Sequence, residues 1–102
     1  MLFRSCCGGN SGSQPHAVGG KQANGFGLYD MLGNVFEWVN DGFDRYWPGT
    51  QIDPTGPEGS PSCVIRGGSW RTATNYARSS YRRNVAYGLT FNDIGFRVAR
   101  TP

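Results

Sequence analysis

The clearest pattern along the chain is a helical one that breaks in its middle. Leu28, Met31, Leu32, Val35 and Trp38 follow the spacing of one face of a helix. Gly33-Asn34 sits inside that stripe, and such a pair favours a turn. The residues after it, "VFEWV", are β-branched or aromatic and suit a strand. The pattern therefore predicts a single helical turn over 29–32, a tight bend at Gly33-Asn34, and a strand from Val35 with Phe36 and Trp38 on one face.

Two further strands follow. Val64-Ile65-Arg66 leads into Gly67-Gly68-Ser69-Trp70, where paired glycines let another backbone approach closely. Ile94, Phe96 and Val98 alternate with Gly95, Arg97 and Ala99, which predicts a half-buried terminal strand. Between them, "RTATNYARSSYRRNVAYGLTFND" is too broken for a helix. Residues 1–23, rich in Gly and Ser, read as an arm, and residues 24–102 as the folded part. The stretch "WPGTQIDPTGPEGSPS" holds four of the six prolines and predicts a loop.

Composition narrows the class. At 102 residues the chain is at most one small domain with a thin core. Aromatics at 14% argue against disorder, and abundant Gly and Pro argue for irregular backbone. Residues 1–65 carry three basic and six acidic side chains, whereas residues 66–102 carry seven Arg and only Asp93. The two halves therefore attract each other, or the second offers an anion-binding face. Cys6, Cys7 and Cys63 have no metal-ligand spacing. Three thiols without a secretion signal, and no apolar run long enough to span a bilayer, point to a cytoplasmic chain away from membranes.

Four motifs occur in order: "NGFGLYDMLGNVFEW", "VIRGGSW", "YARSSYRRN" and "IGFRVAR". Together they resemble the formylglycine-generating enzyme (sulfatase-modifying factor) domain family, over roughly Gly9 to Arg100. The resemblance implies an α+β, loop-rich fold of the C-type-lectin kind, cut short at its N-terminus. Full domains of the family are much longer, so the exposed apolar face needs another cover. A homo-oligomer, formed by strand exchange, is the simplest. The resemblance also implies a structural calcium held by the Asp30 and Glu37 side chains and the Gly33 and Val35 carbonyls. Hard oxygens on a bent, Gly-containing backbone suit that ion. Without the resemblance, Asp30 caps a turn and Glu37 faces solvent or pairs with an Arg.

The family's oxidases bind copper through two cysteines after the "GGS-aromatic" motif, and those positions are Thr72 and Ala77 here. Neither can replace a thiolate as a soft copper(I) ligand. The aromatic of "GNVWEW" is Phe36. A related branch uses iron held by histidines, and this chain has only His16. No catalytic residues, copper or iron are therefore expected. The leading reading is a non-catalytic binding module, with a ligand surface at Ser69, Trp70, Tyr76, Arg78, Tyr81 and Arg82, aromatic and Arg side chains being common hot spots. For Trp70, Arg66 and Arg97, structural roles in the core and in buried pairs are the stronger expectation. Three rivals stand beside it: an enzyme fragment that needs a partner segment, a lectin-like ligand-display protein, and a nucleic-acid binder. A net charge of only +3 and the lack of a nucleic-acid motif put the last lowest.

Overall fold

A computed structural model describes residues 6–52 and 54–102. Its centre is a sheet of four strands: β1 (Phe36–Gly42), β2 (Ser62–Arg66), β3 (Arg82–Ala86) and β4 (Ile94–Gly95), in the order β3-β2-β1-β4. β2 runs antiparallel to both its neighbours, and β4 lies parallel to β1. The β1–β2 register slips between Trp38 and Gly42, where β1 carries extra residues.

β2 explains where the core sits. Val64 and Ile65 are adjacent and both buried, so the sheet is covered on both faces there. Phe36, at 1% exposure, joins Ile65 as one of the largest fully buried side chains. The loop expected over 47–62 is present among its described residues as far as Pro61, Ser62 opening β2 instead, and it folds back on the end of β1 so closely that a Cβ on Gly42 would meet the Pro57 carbonyl oxygen at 2.6 Å. Among the described residues no helix is long and apolar enough to cross a membrane.

Several expectations need correction. The helical turn over 29–32 is absent, because Asp30 has φ 53°, outside the right-handed helical region. The bend at Gly33-Asn34 is present, with φ 91° and 62°. Among the described residues the only helical piece is a 3-10 turn at Thr74–Tyr76, so the α part of the α+β expectation is not met there. The terminal strand stops after Gly95, and Phe96 and Val98 are 77% and 83% exposed. Arg97 is drawn instead to Glu37 and to the carbonyls of Tyr29 and Asp30. β3 was not expected. As an edge strand bonded on one side, it buries too little to show an apolar alternation.

The Gly/Ser-rich N-terminal stretch is not a free arm, for Cys6, Cys7 and Ser11 are buried. Cys6 pairs with Gly33 in an isolated parallel bridge, and Gly8 N donates to the Thr72 carbonyl. Cys6, Cys7 and Cys63 are free thiols. Burial, above all, pushes the Cys6 thiol above its ordinary range.

Candidate functional site

The "GGSW" motif builds the site. Gly67 and Gly68 both have positive φ, 88° and 74°, and turn the chain sharply off the end of β2. Ser69 then lies fully buried at 0% exposure. Its backbone N–H donates to Thr72 Oγ1 at 2.8 Å, and its hydroxyl donates to Asp93 Oδ2 at 3.1 Å. Arg71 N–H donates back to Ser69 Oγ at 3.2 Å. Asp93 is itself fixed to the sheet, because its carbonyl accepts from Phe36 N–H at 2.8 Å. The Ser69-Thr72-Asp93 cluster thus ties the turn after β2 to the entry of β4.

These three residues line a cavity of about 660 Å³. Phe36 and Ile65 contribute apolar wall, and Tyr76 and Tyr81 form an aromatic side, their ring centroids 5.2 Å apart. Tyr81 also lies 6.2 Å from Phe36, so three rings run in sequence along the wall. Arg83 lines the cavity too, with its guanidinium carbon 5.7 Å from the Phe36 ring centroid. Ala77 is buried, whereas Thr72 is buried and lines the cavity.

Of the six residues expected on a ligand surface, Ser69, Tyr76 and Tyr81 meet in this cavity. The other three lie elsewhere. Trp70 is half-buried, and its indole nitrogen is buried without a hydrogen-bond partner. Arg78 lines a separate groove of about 1130 Å³ with Leu28, Met31, Trp38 and Ala99. Arg82 stacks on Tyr46 and Phe43, at 3.8 and 4.9 Å from the ring centroids. Sequence reasoning missed Asp93 and Arg83. The available signal was the position of Asp93, directly before "IGFR".

A second cleft, of about 460 Å³, gathers Asp30, Gly33, Val35 and Glu37, the four residues expected to hold calcium. A cation already stands there. Arg97 donates from Nε to both carboxylate oxygens of Glu37, at 3.1 and 3.2 Å, and from Nη2 to Oε1 at 2.8 Å. The same Nη2 donates to the carbonyls of Tyr29 and Asp30, at 2.9 and 3.2 Å. Bonding to Glu37 holds the guanidinium charged even more firmly than usual. Glu37 thus pairs with an Arg, although the pair is partly exposed rather than buried. Asp30 Oδ2 accepts from Gly19 N–H at 2.7 Å and ties down a neighbouring turn.

Residues 3–102 match the family described as the sulfatase-modifying factor enzyme 1-like domain. The chain belongs to this family. It is 40% identical to the formylglycine-generating enzyme of Thermomonospora curvata, over 92% of this chain but only 33% of that enzyme. It is 39% identical to the serine/threonine-protein kinase pkn1 of Chlamydia caviae, over 76% of this chain and 13% of the kinase. Among solved structures it resembles Treponema denticola variable protein 1, with a TM-score of 0.87 and 37% identity over 93% of this chain and 35% of that one. The chain therefore spans a third or less of the length of these two curated relatives.

Proposed function

We propose that this sulfatase-modifying-factor domain is a binding module without the family's oxidase chemistry, lectin-like in fold. One observation carries the reading: Thr72 and Ala77 stand where the resemblance places the copper thiolates, and Thr72 Oγ1 is engaged by the Ser69 N–H. A hydroxyl and a methyl offer copper(I) no soft ligand. The cavity is nevertheless kept, with aromatic walls and a few fixed polar groups, the composition of a small-ligand site. The test is a copper(I) titration of the natural chain beside the double variant Thr72→Cys/Ala77→Cys. The variant is expected to hold one more copper(I) per chain. Equal uptake by the two chains would overturn the assignment of these positions.

The same reading includes a structural calcium in the second cleft. Its support is that the cleft gathers the two carboxylates, Asp30 and Glu37, beside the Tyr29 and Asp30 carbonyls that already accept from a guanidinium. Asp30, Glu37 and the Gly33 and Val35 carbonyls would hold the ion, with Glu37 shared with Arg97. Calcium at 100 times its dissociation constant adds about 2.7 kcal/mol. That raises the melting temperature by roughly 10 °C or more. Asp30→Ala and Glu37→Ala are expected to abolish the rise, and Arg97→Ala to lower the starting temperature while keeping it. No rise with calcium, or an equal rise with magnesium, would remove calcium from the account.

The groove beside Leu28, Met31, Trp38 and Ala99 supports self-association as its cover. The likeness to the Treponema variable protein favours a second reading, a ligand-display protein whose cavity wall differs between copies. Sequencing the locus across many isolates separates the two readings. Changes clustered at residues 69–92 support display, and an even spread supports a single ligand.

A further inference from the structure

Three charged residues line the cavity beneath Ser69, Arg71, Arg83 and Asp93, and among the described residues no ion pair joins Asp93 to either arginine. Asp93 is half-buried, and among the described residues its Oδ2 accepts from the uncharged Ser69 hydroxyl alone. Among the described residues the one ion pair is Glu37 with Arg97, and neither of these lines this cavity. The Asp93 carboxylate shares this cavity with Phe36, Ile65 and Ile94, and a cation meeting it beside apolar walls is attracted more strongly than in open water. Two arginines do line the cavity, but each is placed on a ring. Arg83 lies over Phe36 and Arg71 over Trp70, and both residues are exposed to solvent. Water screens those charges more than it screens Asp93.

The wall beside Asp93 also suits a cation. Tyr76 and Tyr81 sit 5.2 Å apart with their planes inclined at 37°. Aromatic faces attract an ammonium, and more strongly when water is excluded. We propose that this cavity takes a small organic ammonium, its charge at Asp93 and its apolar body against Phe36, Tyr76 and Tyr81. The proposal rests on the reading of the cavity as a binding site and adds the charge class of what it binds.

Three probes sharing one ring separate the two claims: 2-phenylethylammonium, neutral 2-phenylethanol and anionic phenylacetate, each titrated into the full chain and followed by amide NMR shifts. The ammonium is expected to bind at least about tenfold more tightly than either of the others, shifting signals from Tyr76, Tyr81 and Asp93. Asp93→Asn keeps an oxygen for Ser69 and is expected to erase that preference. Asp44→Asn, outside the cavity, is expected to keep it. Equal binding of ammonium and alcohol overturns the proposal and leaves the binding site standing. So does preference for phenylacetate, especially if Arg83→Gln removes it. Absence of binding by all three overturns both the proposal and the reading beneath it. The comparison of probes on the natural chain decides the matter even if Asp93→Asn fails to fold.

Discussion

Gly33→Ala is expected to destabilise the fold severely. A Cβ built at Gly33 would sit 2.1 Å from the Cys6 carbonyl oxygen and 2.6 Å from its carbon. Those are backbone atoms, which cannot swing aside as a side chain can. Gly33 also has φ 91°, a conformation that an L side chain rarely adopts. Its N–H donates to the Gly67 carbonyl at 2.7 Å, and the next residue, Asn34, donates from N–H to the Cys6 carbonyl at 2.6 Å. The substitution thus separates the N-terminal segment, the bend before β1 and the glycine turn after β2 in one step. A cost of about 4 kcal/mol or more follows from combined strain and clash. A domain of this size has roughly 5–15 kcal/mol in total. Circular dichroism and a thermal melt would check it. A variant that melts within a few degrees of the natural chain would show that Cys6 does not pack on Gly33.

Phe36→Ala is the second large effect expected. Phe36 is 1% exposed, and its ring is shared between the core and the cavity wall. Removing a buried Phe side chain costs about 3–5 kcal/mol, from lost transfer energy and from the space left behind. At this chain length that lowers the melting temperature by roughly 15 °C or more. The backbone N–H of Phe36 still reaches Asp93, so the loss belongs to the side chain. Phe36→Leu refills most of the space and is expected to recover more than half of the loss. Equal melting of the Ala variant and the natural chain would contradict the burial of this ring.

The legible parts of this fold are those in which local pattern and tertiary packing agree. "VFEWV" and "CVIR" are β-rich, and the two strands they form pair at the centre of the sheet. Gly33-Asn34 announces its bend because few other pairs tolerate two successive positive φ values. The failures have physical causes. The Leu28 to Leu32 spacing looked helical, but the turn is set by Asp30 in the left-handed region and by Gly19 bonding to its carboxylate. The alternation over 94–99 looked like a buried strand, yet β1 offers β4 only Phe36 and Glu37 as partners. The burial of Cys6 and Cys7 was hidden in a Gly/Ser-rich stretch that is tied to Gly33, Asn34 and Thr72, far along the chain.

The site was legible in pieces. Ser69, Tyr76 and Tyr81 were found through the motifs, and the cavity joins them. Trp70, Arg78 and Arg82 neighbour these in sequence but point elsewhere, since adjacent residues in a turn or strand leave by different faces. Asp93 carries only the signal of its place before "IGFR", because its approach to Ser69 depends on the β1–β4 pairing. Similarly, the four residues of the second cleft were found together, but the Arg97 guanidinium among them was not.

The central claim is that this chain keeps the family's cavity without its oxidative chemistry. The most direct measurement supplies copper(I), oxygen and a cysteine-containing sulfatase-type peptide to the folded chain, and follows aldehyde formation by hydrazide capture and mass spectrometry. No aldehyde is expected beyond that produced by copper alone. Aldehyde formation that requires the folded chain and disappears on its thermal unfolding would contradict the claim and return this domain to the enzymes of its family.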